Sequence, residues 1–281
     1  MGAFGRRGGP LVVLALAIAL VAAACGGNDD NTSGSGGQAS SSGLKDLVTP
    51  NTLTVGTELP APPFWIGDDY DSITGGFEVD LAKEIAKRLN LGSVKFIEMP
   101  FTGLVAGQRC RCDIDFSQVT ITDKRAKVVD FTEPYFEANQ GVLVKKGTAV
   151  ANADAAKQLH WGAQATTTGA SYLADTLKPA SEAKLYEKTV DMFAAFNAGQ
   201  INAIMLDTPI LLGAVKNNQV RDAEVVGQFK TGEAYGGVLR KGSPNREAFN
   251  QVIRTLKSEG FISQLYNRYF GGDPADVPVI S

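Results

Sequence analysis

From about Leu44 onward, short apolar runs alternate with stretches in which apolar side chains recur every three or four positions. Leu53-Thr-Val-Gly-Thr57, Val94–Glu98 and Asp113–Phe116 are of the first kind and read as strands. Between the first two lies Gly76-Phe-Glu-Val-Asp80-Leu-Ala-Lys-Glu-Ile-Ala-Lys-Arg-Leu89. There Leu81, Ile85 and Leu89 recur every four residues, with Ala82 and Ala86 beside them, which predicts a helix with one apolar face. Glu78 and Asp80 stand at its start and Lys87 and Arg88 at its end, as the helix dipole favours. Strands are also predicted in Phe136–Val144, Leu159–Gln164, Ile201–Met205 and Glu224–Phe229. Helices are predicted over Ala170–Leu177, Asp191–Ala198, from Pro209 onward, around Phe249–Leu256 and over Phe261–Phe270. Ala198-Gly-Gln-Ile-Asn echoes Ala106-Gly-Gln, each before a buried strand. The alternation fits two α/β units of similar build with partly parallel sheet.

Residues before Leu44 follow another pattern. Arg6 and Arg7 precede an apolar run from Leu11 to Ala24, too short for a spanning helix of about 20 residues but suited to a secretory signal. Val21-Ala-Ala-Ala-Cys25 resembles a bacterial lipobox, in which the cysteine is lipidated, with Ala22 at the usual leucine position. Gly, Ser, Asn and Asp dominate the next stretch to Gly43, which reads as a flexible tether. The expected organisation is therefore a signal peptide at 1–24 and a tether at 25–43, with Cys25 as the lipidation site.

Composition narrows the field. With 44% hydrophobic and 20% charged residues the 281-residue chain is ordinary globular material, and a net charge of −3 gives no reason to expect nucleic acid as a partner. Loss of residues 1–24 removes two arginines and no acids, leaving 25 basic against 30 acidic residues, −5. A single histidine, His160, argues against His-based triads and multi-His metal sites. No Walker-type phosphate loop occurs. Cys110 and Cys112 permit one disulfide, but an i,i+2 bridge is strained and a metal site lacks further ligands nearby, so their redox state stays open.

The chemistry concentrates between Ser117 and Tyr135. Thr120-Ile-Thr-x-x-Arg125 follows a buried strand and brings a hydroxyl close to a guanidinium, whose planar fork fits a carboxylate. A surface ion pair is the alternative for an arginine among Asp123, Lys124 and Lys127. Thr-Ile-Thr-x-x-Arg with Asp130-Phe-Thr-x-Pro-Tyr135, and the Gly76–Leu89 string, resemble the bacterial extracellular solute-binding proteins of family 3, the receptors of ABC importers for polar amino acids. Ser-Pro-x-Arg near Ser243 and Tyr-x-x-Tyr-Phe-Gly271 extend the likeness over about Leu53 to Gly271.

The resemblance implies an α/β, two-lobed, type II periplasmic-binding-protein-like fold with two crossing segments. Lobe I would comprise 44–135 plus 236–281, and lobe II 136–235. It also implies a site: Arg125, Thr120 and a Thr167/Thr168 turn on the ligand carboxylate, and Asp207 with the Gln118 carbonyl on its ammonium. Gln118 and Thr166 stand where the family usually has glycine or another small residue. Glu58 and Gln164 would read the ligand's far end beside Phe101. Each has a plainer alternative: Phe101 as core packing, Asp207 as a helix N-cap, the threonine turn as a cap and nothing more. An acceptor at Glu58 favours a neutral or cationic side chain, glutamine first. Ala61 replaces an expected aromatic wall, and Arg109 or Arg111 near Glu58 would reopen glutamate. The implied partners are a polar amino acid and a membrane permease, with a lipid-anchored, extracytoplasmic monomer and no cofactor, metal or catalytic residue. A cyclohexadienyl dehydratase-like enzyme using Glu58 or Glu133 is the alternative. A sensor would need a membrane or kinase segment after Ser281.

Cys25→Ala is expected to release the protein from the membrane fraction into the medium; unchanged retention would refute the anchor.

Overall fold

The computed structural model describes residues 43–270 and 274–281. The expected signal peptide, Cys25 and the tether up to residue 42 lie outside the described residues. Strand β1 (Thr52–Thr57) pairs in parallel with β2 (Ser93–Glu98), and with β3 (Ile114–Asp115) through Val55 and Gly56. Between β1 and β2 runs helix α1 (Phe77–Arg88), whose buried face is the one the periodicity predicts, Leu81, Ala82, Ile85 and Ala86. Two short helices follow, α2 (Phe101–Val105) and α3 (Asp123–Ala126), the latter capped by the Thr122 side chain on the Arg125 N–H.

The centre of the molecule is a long antiparallel ribbon. β4 (Val129–Lys145) and β8 (Ala223–Arg240) pair from Val129↔Arg240 to Lys145↔Ala223. On the far side of β4 lie β7 (Ala203–Asp207), β5 (Trp161–Gln164) and β6 (Lys184–Tyr186), giving one eight-stranded sheet in the order β2-β1-β3-β8-β4-β7-β5-β6. Both segments expected as crossings lie inside these two strands. Register shifts at Phe131/Pro134, Pro134/Phe136, Ala138/Gln140 and Val142/Leu143 let the ribbon bend without losing its pairing. Pro134, which lacks an N–H, sits at such a shift.

Each half of the sheet has its own cover. In the first, α1, α8 (Arg246–Ser258) and α9 (Phe261–Phe270) bury Leu53, Val55, Phe249, Ile253 and Leu265. In the second, α6 (Thr189–Asn197) and α7 (Thr208–Lys216) pack Met192, Phe196 and Leu211 on one face. Val142, Trp161, Ala163 and Met205 form the core on the other, beside α4 (Ala153–Ala156) and α5 (Thr168–Tyr172). The crossing itself is filled by aromatics: Phe136 stacks on Tyr235 at 5.3 Å and Tyr266 at 4.3 Å, and meets Phe64 and Phe77 edge-on at 5.1 Å each.

The C-terminus departs from the expectation that 236–281 belongs to lobe I. Beyond a turn at Pro274–Asp276, Ile280 is buried with Val142 and Trp161 of the second half. Its N–H donates to the Gln228 carbonyl (2.9 Å), Gln228 N–H donates to Pro278 (2.8 Å), and Ala153 N–H to Ser281 (2.9 Å). The physical reason is an open edge: β3 covers β8 only in the first half, and the tail pairs with it in the second.

Truncating Phe136, which carries so many ring contacts while almost fully buried, is expected to cost about 3–5 kcal/mol. Urea unfolding of Phe136→Ala, scored by midpoint and slope, would show a loss under about 1 kcal/mol if the aromatic cluster were incidental.

Candidate functional site

Strand ends from both halves of the sheet converge on one cleft, narrow as it stands, with a cavity of about 50 Å³ between its walls. Its place, beyond the carboxyl ends of parallel strands, is where open α/β sheets hold their ligands. All nine ligand-site residues expected from sequence line it: Glu58, Phe101, Gln118, Thr120 and Arg125 on one wall, Gln164, Thr167, Thr168 and Asp207 on the other. The walls already touch. Arg125 Nη2 donates to the Thr166 carbonyl (3.0 Å), Gln164 Nε2 to Glu58 Oε1 (3.1 Å), and Thr102 Oγ1 to Glu187 (2.9 Å). A Cβ atom at Gly213 of α7 would lie 2.4 Å from Pro63, so glycine permits the helix to approach the proline loop.

Arg125 is buried and makes no ion pair among the described residues, which removes the surface-bridge alternative. Its Nη1 and Nη2 donate to the Thr120 (2.8 Å) and Thr166 carbonyls, and its guanidinium lies 5.5 Å from the Phe101 ring. These bonds fix the fork and leave three of its five N–H groups for another acceptor. Phe101 both lines the cleft and packs in a core with Met99, Leu104, Val119 and Phe131, so its two readings hold together. The turn that delivers Arg125 is held from beneath by Glu78, fully buried at the start of α1. Its carboxylate accepts from Trp65 Nε1 (2.5 Å), Gln118 N–H (3.0 Å), Gln118 Nε2 and the Tyr135 hydroxyl. Those bonds hold Gln118 at φ +51°, a left-handed position that favours glycine. Burial outweighs the four donors and raises Glu78 to about 7.

Asp207 ends β7 just before α7, yet its side chain makes no cap bond. It accepts from Gln140 Nε2 (2.5 Å) and the Tyr235 hydroxyl (2.6 Å), both buried behind the cleft wall. Burial first, then the nearby Glu233 carboxylate, push it to about 7, partly offset by Tyr235, Gln140 and Arg125.

Glu233 is the residue that sequence reasoning missed. Its Oε2 accepts from Gln140 Nε2 (2.8 Å), Thr168 Oγ1 (2.9 Å) and Thr120 Oγ1 (3.4 Å). The signal was available: residues 231–235 were expected to cross between lobes, and alternate side chains on a strand share a face, so Glu233 lies on the same face as Tyr235, behind the cleft residues Thr120, Thr168 and Asp207. Its presence alters the expected roles of the threonines. Thr120 and Thr168 point their hydroxyl protons at Glu233, so they present lone pairs, not donors, to the cleft. Thr167 is the N-cap that the plainer alternative described: it donates to the Gln164 carbonyl (2.7 Å) and accepts from Ala170 N–H (3.1 Å).

At the far end, Glu58 Oε2 accepts from the Phe101 N–H (2.8 Å). Gln164 uses its amide N–H groups on Glu58 and the Glu187 carbonyl (3.1 Å), so what it turns to a ligand is its carbonyl oxygen. Arg109 and Arg111 are exposed and do not line the cleft, and Ala61 does. Glu133, offered as an enzyme's acid or base, lies outside the cleft lining and pairs with Arg254 (2.5 Å). Outside the lining too, Cys110 and Cys112 are joined as a disulfide, and Asp115 is a nearby third ligand group that was not expected from sequence.

Two lobes sharing a twice-crossed ribbon, with a polar cleft between them, define a bilobal ligand-binding protein. The chain belongs to the bacterial extracellular solute-binding proteins, family 3, whose family model matches residues 53–272. It is 29% identical over 254 residues to the ABC transporter glutamine-binding protein GlnH of Bacillus subtilis (strain 168), covering 86% of this chain and 91% of that one. Among solved structures, an ancestral arginine-binding protein bound to glutamine superposes with a TM-score of 0.71 at 33% identity, covering 80% of this chain and all of the other. An ancestral amino acid-binding protein, a precursor of cyclohexadienyl dehydratase, gives 0.68 at 31%, with 78% and 96% covered.

Asp207 has an ordinary value of 3.8 and a folded value of about 7, so the unfolded chain loses its proton first as pH rises. Its contribution to stability is therefore fully present below about pH 4 and lost by about pH 7. Urea midpoints of the ligand-free protein across that window should fall less steeply in Asp207→Asn. Glu78 keeps part of the slope, and an unchanged slope would show that Asp207 ionises freely.

Proposed function

We propose that this protein is the extracytoplasmic substrate-binding component of an ABC importer and that its cleft takes the zwitterion of a polar amino acid. One observation carries the reading: Arg125 and Asp207, each buried, face the same cleft from opposite walls with no ion pair joining them. Hydrogen bonds alone leave a buried charge without a counter-charge, which is costly, and one ligand bearing a carboxylate and an ammonium would supply both. Arg125 and the first N–H groups of α5, which a helix leaves without internal partners, would hold the carboxylate. Asp207, the Gln118 carbonyl and the lone pairs of Thr120 and Thr168 beside Glu233 would hold the ammonium.

The far subsite offers acceptors, the Glu58 carboxylate and the Gln164 carbonyl, with Phe101 over the ligand's methylenes. It suits an amide N–H₂ or a cation and repels a second carboxylate. Glutamine is our first assignment and arginine the second, and a relative that binds arginine and is solved with glutamine supports both. The lobes in this reading are 44–135 with 236–270, and 136–235 with the terminal tail. Closure is favoured because the ligand contacts both walls at once. The closed form would dock on a membrane permease, held near it by a lipidated Cys25. Among the described residues no helix is long and apolar enough to cross a membrane.

Calorimetric titration with glutamine, arginine and glutamate tests the assignment. Glutamine or arginine should bind and glutamate should not. Removing one partner of a buried charged contact costs about 2–5 kcal/mol, so Arg125→Ala and Asp207→Ala should each weaken binding by about 30-fold or more with the fold intact. Wild-type affinity in either variant would remove the site, and tightest binding of glutamate, unaffected by Glu58→Gln, would overturn the specificity. Turnover of prephenate or arogenate would favour an enzyme instead.

A further inference from the structure

Cys110 and Cys112 belong to the loop between α2 and β3 and are the one chemical motif that amino acid binding leaves unused. They are bonded to each other, with Cα atoms 5.1 Å apart. Beside them lies Asp115 of β3, whose backbone pairs with Gly56 and Val238 at the middle of the sheet. Asp115 is completely buried, and neither of its carboxylate oxygens has a partner in hydrogen-bonding geometry. Burial, joined by the Glu78 and Glu58 carboxylates, pushes it well above the usual carboxylate range against the pull of the Ser117 hydroxyl. Of the other buried carboxylates, Glu78 and Asp207 each have partners for both oxygens. A buried, unsatisfied carboxylate is an exception that calls for a ligand or an ion.

The geometry gives that ion a place. The two sulfurs and a carboxylate oxygen all lie within 4.8 Å of one another. They converge over Gly56, where a Cβ atom would lie 2.6 Å from Asp115 Oδ2, 2.9 Å from Cys110 Sγ and 3.2 Å from Cys112 Sγ. Any other residue at position 56 would fill the point they share. A tetrahedral ion with metal–sulfur bonds of about 2.3 Å holds two sulfurs about 3.7 Å apart, so the two sulfurs, bonded to each other here, must part before an ion can sit between them.

We propose that Cys110, Cys112 and Asp115 form a redox-gated site for a thiophilic divalent ion of the zinc type, closed while the disulfide stands and open once it is reduced. An external dithiol supplies the reduction. It passes two electrons and two protons to the cysteine pair and ends as a disulfide itself. The ion then displaces the protons of both thiols and of the carboxyl group, so that its two positive charges meet two thiolates and one carboxylate. The fourth position falls to water, as in three-ligand zinc sites. Thiolate ligands exclude magnesium and calcium, which take oxygen donors.

The test uses the full chain in a Cys25→Ser background, so that these are its only two thiols. After reduction by a phosphine and removal of the reductant, cadmium is titrated as the probe and its thiolate charge-transfer absorbance is followed. The reduced protein should saturate at one equivalent, the oxidised protein should give no band, and Cys110→Ser and Cys112→Ser should each abolish it. Asp115→Asn should weaken binding by about 10-fold or more. No one-equivalent band in the reduced protein would overturn the site, a band in the oxidised protein would overturn the gating, and full affinity in Asp115→Asn would remove the carboxylate. Should Asp115→Asn fail to fold, protection of both thiols from a thiol reagent is read without that variant. One equivalent of zinc should protect them and magnesium should not; equal reactivity with and without zinc would refute the proposal.

Discussion

The rest of the structure depends on the pairing of β4 with β8. These two strands are the shared property of both lobes, and each passes from one to the other without a break in the ladder. A loop at the same place would leave the lobes free to swivel. A ribbon with bulges permits bending along one direction and resists the others. The aromatic stack of Phe136 on Tyr235 and Tyr266 stiffens the bend on the side facing α9. On the other side the same strands hold the cleft residues from behind, through Gln140, Glu233 and Tyr235 on Asp207 and Thr168. Hinge and cleft support are thus one object, and a change in strand twist moves the side chains that line the cleft.

Strain and burial are concentrated around the two walls. Gln118 at φ +51° and Thr166 at φ +64° are non-glycine residues in the left-handed region, one on each side of Arg125. Each is held by bonds that reach beyond its own turn: Gln118 by Glu78, Thr166 by the guanidinium that its carbonyl accepts. Glu78 ties α1, the Trp65 loop, β4 and the arginine turn into a fully connected polar network, where cooperativity makes each bond depend on the others. The sequence motif around Glu78 therefore has a structural reason that its position in an amphipathic helix alone does not reveal.

How much of this was legible follows from which signals are local. The face of α1 was readable because its burial follows a period that four side chains repeat. The cleft residues were readable through motif resemblance, and all nine meet in space. The continuity of β4 and β8 was not, since Pro134 and Gly232 interrupt the pattern where bulges absorb them. Glu233 escaped because a crossing segment carries no hydrophobic period, and its meaning depends on partners 65 to 113 positions away. The threonine hydroxyls had their donors assigned to a ligand because the competing carboxylate was unseen. Ile280 was placed by chain order, whereas an unpaired strand edge decided its position.

The terminal tail has a consequence for how the chain folds. The first lobe needs the second half of β8, α8 and α9, and the second lobe is finished only when residues 277–281 cover the β8 edge. Neither half can complete its core before these late segments have been made, the first waiting for α9 and the second for residues 277–281. Contacts that join residues so far apart are slow to form, because loop closure must precede the gain. A nascent polypeptide of this sequence therefore stays short of its native state until the segments that close both cores have been made, and its two halves reach that state late and close together.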